Sequence, residues 1–269
     1  MNQSDLDKFA SGAKVYDLGM DYFVGMPHFP THPPFTFSLG RVHGELMYEG
    51  GVSSANCMFS TGGHTGTHID ALGHIAQEGR IAGIGDMAPW QDYTGLKKGG
   101  IEEMAPIFRP GVLLDIAGLK GVDCLEPGYA VGAGDLAAAA ERQGVQVPGG
   151  HAVLIRTGWI KHFGTPLNYV SHKDGVPGLD TQGAAWLVEQ GISLVGGDTV
   201  ALERTPSAGL PVHALLIAQK GIPIMEVLNL DELAAQGAYS FLLVVSPLKI
   251  RGGTGSPVRP LAVVWEQSG

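Results

Sequence analysis

The chain has few cysteines and no long apolar run, and each shortage excludes a class of protein. Its two cysteines, Cys57 and Cys124, form no repeated spacing, so we expect free thiols in a reducing compartment rather than a disulfide framework. No stretch approaches the roughly 20 apolar residues that a membrane-spanning helix needs. The polar N-terminal residues 1–8 are not typical of a signal peptide. These absences predict a cytoplasmic protein with no membrane partner.

Basic residues are also scarce. The chain has 17 Lys and Arg against 26 Asp and Glu, which gives a net charge of −9. Binding to nucleic acid needs clustered Lys and Arg to neutralise phosphates, so we expect no nucleic-acid partner. Charged residues make up only 16% of the chain, while 44% are hydrophobic and 41 are glycine. This composition favours a compact body with tight turns over disorder.

Short apolar segments separated by glycine-containing turns predict a mixed α/β fold. Buried strands are expected at 15–18, 112–116, 152–156, 193–195, 241–245 and 261–264. Three helices are expected: one capped by Asp135 and ended by Gly144, one capped by Asp180 or Thr181 and ended by Gly191, and one from Pro211 to Gly221. The order lacks the strict βαβ alternation of a doubly wound sheet. No linker or internal repeat divides the chain, so residues 1–269 are expected to form one domain.

The most informative segment is His64-Thr65-Gly66-Thr67-His68-Ile69-Asp70-Ala71-Leu72-Gly73-His74. Imidazole nitrogens and a carboxylate oxygen are common ligands of divalent metals such as zinc or manganese. A catalytic metal usually has three protein ligands and one position open to water. The segment therefore predicts a metal-dependent hydrolase that acts on a small molecule.

The same segment is predicted to be extended rather than helical. Gly66 is a poor helix former, and Thr65, Thr67 and Ile69 are β-branched. In a fully extended strand, His64 and His68 would lie roughly 13 Å apart, which is too far for one ion. Gly66 is where the chain could bend towards the metal. We expect a curved strand that runs into a turn at Gly73.

The segment resembles the HxGTHxDxxxH signature of the cyclase family of metal-dependent amidohydrolases, which includes bacterial kynurenine formamidase and isatin hydrolase. The resemblance extends from about Val15 to Val264. It implies a single domain with a barrel-like central β-sheet flanked by helices, assembled as a homodimer or homotetramer. The other matching segments, in family order, are Asp17-Leu18, Gly25-Met26-Pro27, Pro177-Gly178-Leu179, Asp198-Thr199, residues 211–216, 224–230 and 247–250, and Gly255-Ser256-Pro257-Val258-Arg259.

The resemblance implies a role for each residue of the segment. His64, His68 and Asp70 match the ligands of the first metal, and His74 matches the catalytic histidine. The family usually has proline where this chain has Leu72, which is expected to shift the loop that carries His74.

A second metal in the formamidase branch is bound by the same aspartate with a distant histidine and glutamate. His213 and Glu226 stand at those positions. In the isatin hydrolase branch the glutamate position is apolar and one metal is bound. Glu226 therefore favours a formamidase-like site with two ions, either zinc or manganese, although one ion stays open.

Three further residues, His28, Phe29 and Asp198, are candidates for roles around this site. The family commonly has the aromatic pair Trp-Pro after Met-Pro, where this chain has His28-Phe29-Pro30. His28 and Phe29 are expected to line the substrate pocket. Asp198 follows an apolar strand and is expected to position either a loop or a ligand histidine.

The ligand set predicts attack on an amide carbonyl by a hydroxide that a metal generates near neutral pH, with His74 moving the proton. An arylformamidase acting on a compound such as N-formylkynurenine is the leading hypothesis. Opening of a cyclic amide, imide or lactone stays open, as does a non-catalytic metal-binding scaffold. A metalloprotease of the H-E-x-x-H type is set aside because Thr65-Gly66-Thr67 contains no glutamate.

Overall fold

A computed structural model describes Asp7 and residues 11–171 and 173–265. The prediction that no signal peptide is present concerns residues 1–8, which lie outside these ranges apart from Asp7. Within the described ranges, no helix is long and apolar enough to cross a membrane. Cys57 and Cys124 are free thiols, as expected.

The strands are numbered in chain order. They are β1 Ala13–Asp17, β2 Thr36–Arg41, β3 Asn56–Ser60, β4 His68–Asp70, β5 Arg80–Ile81, β6 Gly85–Asp86, β7 Gln91–Asp92, β8 Gly95–Leu96, β9 Ile107–Asp115, β10 Ala130–Val131, β11 Ala152–Arg156, β12 Gly178–Leu179, β13 Leu194–Gly197, β14 Ile224–Glu226, β15 Ser240–Val245, β16 Gly255–Pro257 and β17 Leu261–Trp265.

A curved nine-stranded sheet forms the body of the molecule, in the order β1-β17-β15-β9-β11-β13-β14-β4-β16. Its middle strands β9, β11, β13 and β14 run parallel, and the strands on either side pair antiparallel. This arrangement confirms the mixed α/β class with a barrel-like sheet. Each of the six strands expected from the sequence overlaps a strand of this sheet.

Two hydrophobic cores cover the two faces of the sheet. Val112 and Leu114 point into one core, and Leu113 between them points into the other. Val153 and Leu154 of the neighbouring strand divide in the same way. Because successive side chains of a strand point to opposite faces, a strand covered on both faces reads as a continuous apolar run. This explains why these strands could be recognised from the sequence.

The helices are α1 Ile116–Lys120, α2 Ala133–Gln143, α3 Pro166–Ser171, α4 Thr181–Glu189, α5 Pro211–His213 and α6 Asp231–Ala235. Single 3-10 turns occur at Glu49–Gly51, Leu72–His74, Ala88–Trp90, Ile101–Glu103 and Trp159–His162.

The helix ends confirm one predicted cap and correct another. Asp180 caps α4, and its carboxylate accepts a hydrogen bond from the Gly183 amide at 2.8 Å. The expectation that Asp135 caps α2 is wrong, because the helix begins one turn earlier, with Gly132 as the N-cap. The Asp135 carboxylate instead accepts a hydrogen bond from the Gly132 amide at 3.3 Å. Gly144 ends α2 with a φ of +64°, as expected.

The third predicted helix begins at Pro211 but is not a regular α-helix. After His213 the chain continues as a π-helical segment, Ala214–Gln219. Segments of this kind are rare and frequently lie at functional sites. Leu216 and Ile217 of the segment are fully buried in the core.

A two-stranded hairpin, not foreseen from the sequence, stands apart from the main sheet. Strands β2 and β3 pair only with each other, and residues 42–55 connect them. We call residues 36–60 the arm. All residues of β2 and β3 are exposed apart from the half-buried Arg41.

Candidate metal centre

Three strands bring the predicted ligands together at one end of the sheet. Strand β4 carries His68 and Asp70 and lies between β14 and β16. Glu226 of β14 lies directly opposite His68 in the antiparallel pair. Because residues two apart on a strand share a face and opposed residues are neighbours across it, His68, Asp70 and Glu226 project to the same side.

The chain before β4 turns sharply, so the expectation of an extended segment from His64 is wrong. The strand includes only His68–Asp70, while residues 64–67 form a turn. Gly66 makes the bend with a φ of +70°, as predicted for this glycine. A Cβ at position 66 would lie 2.6 Å from Tyr22 Cζ and 2.7 Å from Met26 Cε. The turn brings His64 back onto Asp70, which an extended chain could not do.

The two threonines of the segment hold this turn in place. The Thr67 hydroxyl donates to the Val227 carbonyl at 2.6 Å and accepts from the Met20 amide at 2.8 Å. The Thr65 hydroxyl donates to the Pro33 carbonyl at 2.9 Å. These bonds tie the turn to the residue that follows Glu226 and to the N-terminal segment.

The candidate ligands form two compact sets that share Asp70. One set is His64, Asp70 and His74, and the other is Asp70, His213 and Glu226; in each set the ligand atoms lie within 4.8 Å of one another. His64 Nδ1 is 2.7 Å from Asp70 Oδ1, and His213 Nε2 is 3.2 Å from Glu226 Oε1. The second set is the one that the family resemblance implied for a second metal. The roles of these residues as ligands stay predictions.

His68 lies between the two sets rather than in either. Its Nε2 is 3.5 Å from Asp70 Oδ1 and 3.4 Å from Glu226 Oε2. Both distances exceed those of a hydrogen bond between nitrogen and oxygen. His74, which was predicted as the catalytic base, stacks on His64 with ring centroids 3.8 Å apart. The structure therefore brings together the five predicted metal ligands and the predicted catalytic histidine. It also groups His74 with His64 and Asp70 as a possible metal ligand.

Two buried atoms of the cluster have no hydrogen-bond partner among the described residues, namely His68 Nε2 and Asp70 Oδ2. Leaving a buried polar atom unpaired costs about 1–3 kcal/mol. His68 Nδ1 is 2.8 Å from the Gly66 carbonyl, so this nitrogen carries the hydrogen and Nε2 offers a lone pair. A nitrogen lone pair and an unpaired carboxylate oxygen in the same buried cluster fit a divalent cation.

Other polar groups orient two of the histidines. Glu203 Oε2 accepts hydrogen bonds from His213 Nδ1 at 2.6 Å and from the His213 amide at 3.1 Å. The Ser207 hydroxyl donates to Glu203 Oε1 at 2.6 Å. Glu203 thereby fixes the tautomer of His213 and leaves Nε2 directed at Glu226. On the other side of the cluster, Thr254 Oγ1 lies 2.9 Å from His64 Nε2.

Burial and hydrogen bonds to neighbouring side chains shift the pKa values of the cluster residues, some upwards and some downwards. Burial lowers the pKa of His213, but hydrogen bonds to Glu203 and Glu226 outweigh it and raise the pKa to about 10. Burial raises the pKa of Glu226. Burial also lowers the pKa of His74, to about 3. A bound cation would displace the protons from its ligands, so metal binding at this cluster releases protons.

The predicted pocket residues lie on a segment that covers His64. Phe29 is half-buried and its ring lies 5.6 Å from that of His32, which in turn lies 5.4 Å from the ring of His64. His32 Nδ1 is 3.3 Å from the His64 carbonyl. His28 faces a separate apolar cavity of about 300 Å³ lined by Pro30, Pro34, Pro166 and Leu167. Of this segment, His32 makes the contacts with His64.

Asp198 positions a loop, which is one of its two predicted roles. Its carboxylate accepts hydrogen bonds from the Thr157 hydroxyl at 2.6 Å, the Thr157 amide at 3.0 Å and the Gly158 amide at 2.7 Å. Among the described residues, the hydrogen bonds of this carboxylate go to Thr157 and Gly158 and not to a histidine, and His213 is oriented by Glu203 instead. Leu72 forms a 3-10 turn with Gly73 and His74, and His74 still reaches the cluster.

Sequence reasoning missed Glu203, Thr254 and His32. Glu203 lies in an irregular segment, Ala201-Leu202-Glu203-Arg204, without a periodic pattern that would mark it as buried. Thr254 lies in a glycine-rich stretch next to β16, and only the pairing of β16 with β4 brings it to His64. The sequence offered one indication for Glu203, a carboxylate ten residues before the predicted ligand His213. That spacing alone is weak evidence for a contact.

Comparison with known proteins gives consistent matches. Residues 16–204 match the Cyclase family model, described as "Putative cyclase". Isatin hydrolase of Roseibium aggregatum is 28% identical over 210 residues, covering 76% of this chain and 72% of that protein. Kynurenine formamidase of Geobacillus thermodenitrificans is 28% identical over 237 residues, covering 87% and 90%. A crystal structure described as a novel cyclase superposes with a TM-score of 0.83 at 26% identity, covering 97% of this chain and 91% of that one.

Proposed function

This chain belongs to the cyclase family, and we propose that it is a metal-dependent hydrolase of small amides, with an aryl formamide as its substrate. Two of its relatives carry the names isatin hydrolase and kynurenine formamidase, and both names describe cleavage of a carbon–nitrogen bond. With 28% identity to each, the choice of substrate rests on the site itself.

The observation that carries the formamidase proposal is the second ligand set. Asp70, His213 and Glu226 are all buried and lie together, in addition to the set of His64, Asp70 and His74. A buried carboxylate such as Glu226 is costly unless it is paired or binds a cation. Two sets that share one aspartate support two ions and a formamidase-like site.

Zinc or manganese held by these residues would supply a nucleophile at neutral pH and polarise the carbonyl oxygen of the substrate. The protein's own contribution is placement. Gly66 and the two threonines fix the turn that carries His64, and Glu203 aims His213. His74 lies beside both His64 and Asp70, and we assign to it the transfer of a proton from the attacking water to the leaving nitrogen.

The two possible roles of His74 can be separated by one variant. If His74 moves the proton, His74→Gln keeps the metal content of the wild type and loses activity by about 100-fold or more. If His74 is a ligand, the same variant loses metal along with activity. Metal content by plasma mass spectrometry, measured beside the hydrolysis rate, decides between them.

The formamidase proposal is tested with Glu226→Ala. We expect two metals per chain in the wild type, one in the variant, and a loss of N-formylkynurenine hydrolysis. Glu232→Ala is the matched control, because Glu232 is exposed and its ion-pair partner among the described residues is Lys14 at 4.0 Å. One metal in both proteins, with the formamidase rate unchanged, would contradict the proposal.

Ring opening of a cyclic amide, as the name isatin hydrolase describes, is the second candidate. The similarity to isatin hydrolase supports it, since that relative shares 28% identity over 210 residues. Isatin should be assayed with the same two variants. Turnover of isatin that survives Glu226→Ala would favour this candidate, and stoichiometric metal without turnover of either substrate would favour a non-catalytic scaffold.

A further inference from the structure

A small cavity lies at the carboxyl end of strand β9. Its volume is about 200 Å³, and its wall includes Asp115, Leu119, Ala139, Arg142, Gln143 and Tyr239. They come from the end of β9, from helices α1 and α2, and from the position just before β15. Strand β9 is three strands from β14, which carries Glu226, or about 14 Å along the sheet at the usual strand spacing. The cavity is therefore separate from the candidate metal centre, and its chemistry does not depend on the proposed function.

Hydrogen bonds hold the wall of this cavity in one shape. The Gln143 side chain accepts from the Asp115 amide at 3.1 Å and donates to the Leu113 carbonyl at 2.9 Å. Asp115 Oδ1 accepts from the Gly118 amide and from Arg156 Nη1, both at 2.9 Å. The Asp115 carboxylate is therefore oriented before a ligand binds, which lowers the entropic cost of binding.

Three polar groups on the wall have hydrogen-bonding capacity that the protein itself does not use. Among the described residues, Asp115 Oδ2 accepts no hydrogen bond and the Tyr239 hydroxyl makes none. Arg142 donates from Nη1 to the Leu119 carbonyl at 2.9 Å, and within the same ranges it forms no ion pair. The Nε and Nη2 edge of its guanidinium is therefore available to a carboxylate, which arginine binds through two parallel hydrogen bonds.

The wall carries one charge of each sign. Asp115 is buried and Arg142 is exposed, and they do not pair with each other in the part of the chain that the structure describes. Arg156 pairs with Asp115, but its Nε also donates to Asp231 Oδ1 at 2.7 Å, so two carboxylates share this cation. A ligand with a single charge would meet a like charge on the wall, whereas a zwitterion pairs with both residues.

Size and polarity limit the rest of the ligand. Leu119 and the fully buried Ala139 make one part of the wall apolar. A cavity of about 150 Å³ can hold one benzene molecule, and pockets for drug-sized ligands begin at about 300 Å³. At about 200 Å³, this cavity suits a zwitterion with a short aliphatic group.

We propose that the cavity binds a small aliphatic α-amino acid. Arg142 binds the carboxylate of the ligand, Asp115 Oδ2 accepts from its ammonium group, and the Tyr239 hydroxyl adds a third hydrogen bond. The aliphatic side chain packs against Leu119 and Ala139. Because both ionic contacts are charge-assisted, each is about twice as strong as a hydrogen bond between neutral groups. A molecule with only one of the two charged groups lacks one of these contacts.

Isothermal titration of the metal-loaded protein with three matched probes tests the proposal. L-Valine has both charged groups, isovalerate lacks the ammonium group, and isobutylamine lacks the carboxylate. We expect L-valine to bind one site per chain with a dissociation constant below about 1 mM, and each of the other two to bind at least about 10-fold more weakly. Since amino acids can chelate metals, the L-valine titration is repeated after chelator treatment and should be unchanged.

Two variants identify the site. Arg142→Gln should weaken L-valine binding by at least about 10-fold, because the bidentate contact with the carboxylate is lost. Tyr239→Phe should weaken it by about 5-fold through the loss of one neutral hydrogen bond. The Tyr239 hydroxyl makes no hydrogen bond among the described residues, so this variant should fold as the wild type does. Arg109→Gln is the matched control and should bind L-valine normally, since Arg109 is exposed and does not line the cavity.

Three results would overturn the proposal. The first is no binding of L-valine up to about 10 mM. The second is isovalerate or isobutylamine binding as tightly as L-valine, which indicates a site for a single charge. The third is binding that disappears with the metal, or that Arg142→Gln and Tyr239→Phe both leave unchanged, because L-valine then binds elsewhere. Circular dichroism checks that each variant is folded, and if Arg142→Gln is not, unchanged binding by Tyr239→Phe alone overturns the proposal.

Discussion

Replacing Glu203 should weaken one metal site and leave the other intact. Glu203 is 1% exposed and accepts two hydrogen bonds from His213 and one from Ser207. Within the part of the chain that the structure describes, its side chain bonds to His213 and Ser207 and not to His64, His68 or His74. Its loss should therefore affect the set of Asp70, His213 and Glu226 alone.

The size of the effect follows from what Glu203 does for His213. Removing a partner that orients a ligand histidine costs about 10–100-fold in metal affinity, or about 1.4–2.7 kcal/mol. Glu203→Ala removes all three hydrogen bonds and should reach the upper end. Glu203→Gln keeps an oxygen that can accept from His213 Nδ1 but loses the charge, so it should lie between the wild type and the alanine variant.

Isothermal titration of the metal-free proteins with zinc or manganese measures both sites in one experiment. We expect the dissociation constant of the metal at Asp70, His213 and Glu226 to increase in the order wild type, Glu203→Gln, Glu203→Ala. The dissociation constant of the other site should not change. Thermal unfolding of the metal-free variants controls for global damage, and Glu232→Ala controls for loss of a carboxylate. Equal weakening of both sites, or an unchanged Glu203→Ala, would refute the positioning role.

Three further predictions follow from other parts of the structure. Burial raises the pKa of Asp198 to about 6, although hydrogen bonds from Thr157 and Gly158 oppose it. The unfolded carboxyl titrates at its ordinary value of 3.8, so the folded state binds more protons between these two values. Ionisation of this one group should therefore lower the free energy of unfolding by about 2.4 kcal/mol as pH rises from 4 to 7. Asp198→Asn should lack this loss in urea titrations, and parallel pH profiles would contradict the assignment. Gly66→Ala should destabilise the fold by about 2–4 kcal/mol and reduce metal content, because its φ is +70° and a Cβ would meet Tyr22 at 2.6 Å; Gly134→Ala is the control, since nothing lies within 4 Å of its Cβ position. Removing metal with a chelator should lower the free energy of unfolding by about 2.7 kcal/mol when the free metal had been 100 times its dissociation constant, and a melting temperature insensitive to chelator would argue against a cation at the cluster.

The main strands and two of the helix ends were predictable because each depends on local pattern. Leu113 and Leu154 lie in continuous apolar runs, which are typical of a strand covered on both faces. Asp180 stands directly before its helix and is a residue type that commonly caps helices. The helix that carries His213 was placed correctly from Pro211, but its π-helical continuation has no local signature.

The candidate ligands were predictable from a short motif and a family resemblance, whereas their surroundings were not. His64, His68 and Asp70 are close in sequence, so the motif shows them together. Glu203 and Thr254 reach the cluster through tertiary contacts, 10 residues from His213 and 190 residues from His64. The arm was missed because its alternation is short and spans a long connection, so neither strand stands out alone.

The π-helical segment after His213 has a consequence for comparing and engineering relatives of this chain. An α-helix turns by about 100° per residue. Inserting or deleting one residue therefore rotates the side chains on one side of the change relative to those on the other side. Here His213 lies just before the π-helical segment and faces Glu226, while Leu216 and Ile217 within the segment are buried in the core. Deleting one residue within Ala214–Gln219 would restore a regular helix and force a choice between those two orientations. We therefore expect an alignment gap in this segment to mark a change in the geometry of the candidate metal centre rather than a neutral shortening.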